Sequence, residues 1–226
     1  MNQVPVLISI AFALTTFLAI GFFYRAAHYS KTVLLILLAW IALQSIPALN
    51  GFYTINTTVP PRFFLLIGPP LVYTIILFST QKGRQFIDSL DLGVLTLLHS
   101  IRIFVELVLL GLYSYKTVPV LITFEGRNFD ILSGLTAPII YYFGFVKKSL
   151  GYKWILAWNF ICLALLINVV VHAVLSAPLP FQQFAFDQPN IAVLYFPFVW
   201  LPCCLVPLVL FSHLVAIRRL IKQRNN

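Results

Sequence analysis

Residues 92–115 form an apolar run long enough to cross a bilayer, and His99, Arg102 and Glu106 lie inside it. On insertion scales a central Arg or Asp costs roughly 2.5–3.5 kcal/mol, so the Arg and the Glu must recover that energy through pairing, hydration or a ligand. At 100° per residue the three side chains fall within about 60° of one another and make one polar stripe. The stripe has to face a bundle interior or water. Arg102 and Glu106 are four apart and are expected to pair, while His99 lies about 10 Å from Glu106 along the axis.

The surrounding composition fits such a bundle. Hydrophobic residues make up 61% of the chain and charged residues 9%, with a mean hydropathy of +0.96, against about 45–50% and about 25% in soluble domains. Seven spans are expected, at roughly 4–24, 32–53, 63–80, 92–115, 130–146, 154–177 and 190–216, in one all-α domain over residues 1–226. The net charge of +9 sits at helix ends, which points to membrane lipid headgroups and not to nucleic acid. One set of loops carries Arg25, Lys31, Lys82, Arg84, Lys147, Lys148, Lys153, Arg218, Arg219, Lys222 and Arg224, and the other only Arg62, Lys116 and Arg127. The positive-inside rule therefore puts the N-terminus outside and the C-terminus in the cytoplasm.

The first span has no positive charge before it and Arg25 after it, the reverse of a cleavable signal peptide, and is expected to stay as a helix. Cys162, Cys203 and Cys204 fall within spans as small buried residues with no metal-pair spacing. Asn56-Thr57-Thr58 matches the N-glycosylation pattern on the outer side. The third and seventh spans both carry mid-helix prolines and end in basic residues, which suggests a 3+1+3 parallel repeat. Those prolines either line a cavity or hinge or merely bend the packing.

After the charged span comes Thr123-Phe124-Glu125-Gly126-Arg127-Asn128-Phe129-Asp130, leading into Ile131-Leu132-Ser133-Gly134. Asp130 or Asn128 is expected to cap the fifth helix. Glu125, Arg127 and Asp130 place three charges at the outer mouth beyond Glu106, and the small Ser133 and Gly134 permit a close approach to a neighbour or ligand. The string Gly126-x-x-x-Asp130-Ile131-x-x-Gly134-x-x-Ala137-Pro138 resembles a pattern in a family of uncharacterised bacterial multi-pass membrane proteins, which also tend to carry an Arg in the preceding helix. The resemblance covers about a fifth of the chain. It implies a bacterial inner-membrane location and no particular activity.

Asn168 and His172 lie in the outer half of the sixth span and are expected to join Arg102, Glu106, Glu125, Arg127 and Asp130 around an outward-facing site. His99 and His213 are assigned to the inner half as a separate polar site. No zinc-enzyme histidine spacing, P-loop, dinucleotide fingerprint or nucleophile elbow is present, and the last span has no Lys for a retinal Schiff base. No metal or cofactor is expected. The leading reading is a membrane protein that binds or moves a small polar solute, ion or proton. A membrane-embedded lipid-modifying enzyme and a sensor or interaction subunit remain alternatives.

Overall fold

Short polar residues punctuate the apolar runs and start helices where they stand, because a side-chain oxygen accepts a hydrogen bond from one of a helix's first unpaired amides. The computed structural model describes residues 4–55 and 57–224; Asn56, the expected glycosylation acceptor, lies outside them. In chain order the helices are α1 (Val6–Ala26), α2 (Lys31–Leu49), α3 (Phe64–Ser79), α4 (Gln81–Ser89), α5 (Leu92–Leu98), α6 (Ile101–Ser114), α7 (Ile131–Tyr141), α8 (Tyr152–Leu175) and α9 (Val206–Arg224). Ser30 caps α2 through Val33 N at 3.5 Å, Thr80 caps α4 through Gly83 N at 3.2 Å, and Asp91 caps α5 through Val94 N at 3.0 Å. Five-residue π-helical turns follow α7 at Tyr142–Val146 and precede α9 at Leu201–Leu205. The fold is all-α, with no strand among the described residues.

The charged run occupies the centre. Within an 18-residue apolar stretch of each span, 72% is buried in Leu92–Ser114 and 67% in Leu201–Gln223, against 33%, 28% and 17% in the spans of α1, α8 and α2. α1 lies along both α5 and α6, α7 packs on the same pair, and α9 packs on α5 and α8. Phe12, Ile20 and Phe23 of α1 meet Leu95, Leu98 and Phe198 in a shared core. α3 is peripheral, burying only Leu66.

Five helices have the length and hydropathy to cross a membrane, and α3 with α4 makes a sixth if the two form one span despite a 95° bend. By these measures the chain is a multi-pass membrane protein. α3 stops at Thr80, as expected, and the Thr80 cap turns the amphipathic α4 aside. The expected fifth span keeps its bounds as an apolar helix, Ile131–Val146, but falls below the roughly 20 residues that a bilayer core needs. The last span begins at Leu201 and not at 190, because residues before it follow turns set by Pro189 and Pro197, which cannot continue a helical ladder.

A further change lies inside the central span. α5 ends at Leu98 and α6 begins at Ile101. Across the joint His99 N bonds to Thr96 O, Ser100 N to Leu97 O, Arg102 N to His99 O and Ile103 N to Ser100 O, at 3.0–3.2 Å. This i to i−3 pattern is a tightened 3₁₀ stretch, which in mid-helix marks a hinge or a functional position.

Candidate functional site

Arg102 begins the upper half of the broken span and is 3% exposed. Its Nη1 donates to Asp130 Oδ1 at 2.8 Å and its Nη2 lies 3.1 Å from His213 Nε2. A guanidinium can only donate, so His213 Nε2 accepts and the ring proton sits on Nδ1. That Nδ1 donates in turn to Asn159 Oδ1 at 2.9 Å, while Asn159 Nδ2 is held by Ile155 O at 2.9 Å. His99, at the joint, stacks on His213 with ring centroids 3.9 Å apart and 16° between planes, and meets the edge of Trp158 at 5.6 Å. Trp158 is fixed by its Nε1 donating to Thr136 Oγ1 at 2.8 Å.

Glu106 is 2% exposed and pairs with Asn128, not with Arg102. Asn128 Nδ2 donates to Glu106 Oε1 at 2.6 Å and to Ile122 O at 2.9 Å, and Asn128 Oδ1 accepts from Asp130 N at 2.9 Å. The expected helix cap at Asp130 is therefore replaced by a tertiary role. Asp130 stands at the start of α7 but makes no side-chain cap bond there; its carboxylate receives Arg102 and, at 3.4 Å, Ser133 Oγ. The i,i+4 pair gives way because Asp130 and Asn128 reach the two charges from outside the helix.

The backbone of α7 comes close enough for this because residue 134 has no side chain. A Cβ on Gly134 would lie 2.9 Å from both Cγ1 and N of Ile103 and 3.3 Å from Arg102 Cβ, closer than ordinary contact. Gly126 serves the loop in the same way, since a Cβ there would lie 2.1 Å from Val120 O. The expected close approach at Ser133-Gly134 is thus present, and its neighbour is the helix bearing Arg102.

The structure unites what the sequence reading divided. His99 and His213, assigned to an inner site, join Arg102, because the later start of the last span moves His213 from the inner end to mid-span. Glu125 and Arg127 stay exposed. Arg127 meets Asn168 only through its backbone carbonyl, which accepts Asn168 Nδ2 at 2.8 Å, and His172 Nδ1 lies 2.8 Å from Asn168 O on its own helix. These four residues do not reach the buried network. Asn128 was read only as a cap; Asn159 and Trp158 were missed, although an Asn inside an apolar span was a visible signal.

Neither Arg102 nor Glu106 lines the groove between α2 and α3, the cleft between α3 and α8, or the small apolar void beside Phe12. Among the described residues no three His, Cys, Asp or Glu side chains are grouped to hold a metal ion. Four buried atoms around the network have no hydrogen-bond partner: Glu106 Oε2, Arg102 Nε, His99 Nδ1 and Ser100 Oγ. The arrangement holds one guanidinium, two carboxyl groups and two imidazoles in a continuous buried run, chemistry suited to holding or passing a proton or small cation.

No curated protein and no solved structure matches the chain. A family model matches residues 62–221, which hold every member of the buried network, while α1 and α2 precede the match. With most of its length matched, the chain belongs to the family described as a domain of unknown function (DUF8737).

Proposed function

We propose that this membrane protein binds a proton or small cation at Glu106 in the course of moving it across the membrane, while the buried run from Asn128 through Asp130 and Arg102 to His213 holds that carboxyl group in place. One observation carries the reading: a buried hydrogen-bonded network joins the loop bearing Asn128 and Asp130 to the central span, and its carboxyl groups outnumber its guanidinium. Asp130 offsets the charge of Arg102, and the second carboxyl group, Glu106, presents an unpartnered Oε2. A proton or a cation would satisfy that oxygen, whereas the one positive charge that an anion would need is already offset by Asp130.

The reading takes α3 and α7 as short crossings, for seven in all, with the N-terminus outside and the C-terminus in the cytoplasm of a bacterial inner membrane. The distribution of basic loop residues supports that orientation. Access is from the outer side, past the loop that contributes Asn128, and the low exposure of Glu106 describes a closed state.

The test is flux in proteoliposomes carrying an interior pH dye, driven by an imposed potential or by a sodium or potassium gradient. Wild-type protein is expected to move protons or the cation, and Glu106→Gln to abolish the movement while keeping the wild-type melting temperature. Wild-type flux in Glu106→Gln would overturn the proposal.

A further inference from the structure

α2 and α3 stand apart. Between them, over the flank of α9, lies a groove of about 540 Å3, within the roughly 300–1,000 Å3 usual for ligand sites. Its walls are apolar, with Leu37, Trp40 and Leu43 from α2, Pro69 and Tyr73 from α3, and Phe211 from α9. The floor is pinned by a proline defect. Pro207 has no N–H to offer Cys203 O, four residues earlier, and Trp40 Nε1 donates to that carbonyl at 2.8 Å.

One end of the groove is marked by Phe23, Val33 and Phe86. Beside these residues in the chain stand Arg25, Lys31, Lys82 and Arg84, all exposed, and Lys82 shares a face of α4 with Phe86 four residues on. None of the four cations is in an ion pair among the described residues, whereas Arg218 and Lys222 are engaged by Asp88. An apolar wall offers a lipid tail nothing that neighbouring tails do not. Selection must come from the headgroup, and unpartnered cations at a membrane surface favour a negative one.

We propose that the groove holds an acyl chain of an anionic phospholipid from the leaflet at the basic end of the bundle, its phosphate lying among Arg25, Lys31, Lys82 and Arg84. The side opening between two weakly buried helices lets the lipid enter from the bilayer. The proposal is independent of the proton or cation reading, since no residue of the buried network lines the groove.

The test uses the full-length protein in detergent with equal amounts of phosphatidylglycerol and phosphatidylcholine of the same acyl chains, and native mass spectrometry to count retained lipid. Preferential retention of phosphatidylglycerol is expected, weakened roughly five-fold per cation removed in Lys82→Gln and Arg84→Gln and kept in Lys82→Arg. Ala39→Phe, which fills the groove and leaves every cation in place, is expected to lower retention of both lipids. Melting temperatures identify any variant that misfolds, and Arg25→Gln and Lys31→Gln then repeat the test from the opposite wall. Equal retention of the two lipids by wild type, or undiminished phosphatidylglycerol in a folded Ala39→Phe, would overturn the proposal.

Discussion

Asp130 stands just before α7, yet its carboxylate caps no amide of that helix and receives Arg102, 28 residues earlier, at 2.8 Å. Both side chains are almost fully buried, so the contact trades two desolvation costs against one close attraction. Removing either partner strands the other. Arg102→Leu and Asp130→Leu are each expected to lose about 3–5 kcal/mol of stability, and the double variant less than their sum. The same cycle with Glu106 in place of Asp130 should show the weaker coupling. Denaturation in detergent measures both cycles, and additive losses for Arg102 and Asp130 would contradict direct pairing.

Gly134 sets how near α7 comes to Arg102. Gly134→Ala puts a methyl against the Ile103 backbone, an overpacking expected to cost about 1–3 kcal/mol. Gly21→Ala in α1 is the control, since nothing lies within 4 Å of a Cβ there; it should leave stability unchanged or raise it by up to about 1 kcal/mol through helix propensity. Equal melting temperatures for the two variants would mean that the close approach is unimportant.

Trp40→Phe removes the donor to Cys203 O and is expected to cost roughly 1–3 kcal/mol, the penalty for a buried carbonyl left unpaired. Pro207→Ala restores an N–H four residues after Cys203, so in the Trp40→Phe background it should recover part of the loss. If Pro207→Ala has the same effect with and without Trp40, the two groups do not serve one carbonyl.

At the basic end, Asp88 ties α4 to α9 through Lys222 at 3.0 Å and Arg218 at 3.6 Å. Burial pushes the Asp88 carboxyl up, but the Lys222 hydrogen bond and the charges of Lys222, Arg218 and Arg219 outweigh it and hold the group below its ordinary 3.8. A carboxyl lower in the folded protein than in the unfolded chain contributes stability that is whole above the unfolded value and fades as pH falls through the folded one. Hydrogen exchange in α4 is therefore expected to stay slow down to about pH 4 and to quicken below it. Asp88→Asn should show faster exchange at neutral pH and lose that acid step. An unchanged acid step in the variant would assign it to another group.

Much of the site was legible because charge at membrane depth is rare, and Arg102, Glu106, Asp130, His99 and His213 could all be picked from their positions. Their pairing was not legible. Four-residue spacing favours a local Arg102–Glu106 contact, and only the folded loop reveals that Asn128 and Asp130 arrive to separate them. That loop is shaped by the approach of Gly126 to Val120, a contact with no periodicity to read. His213 was misplaced for a different reason. Hydropathy alone cannot see that residues 190–199 are apolar without forming a continuous α-helix, and moving the helix start from 190 to 201 displaces the helix by about 16 Å of rise. The membrane class followed from composition, which no local detail disturbs.

The tightened joint at His99 and Ser100 divides the central span into two segments with different attachments. The lower segment is moored at its foot, where Asp91 N bonds to Ala26 O and Arg219 reaches Leu90 O. The upper segment is moored by Arg102 to Asp130 at the start of α7 and by Glu106 to Asn128 in the loop before it. The two segments are thus held by separate anchors and share one junction: His99, between them, lies flat on His213, and His213 accepts from Arg102 of the upper segment.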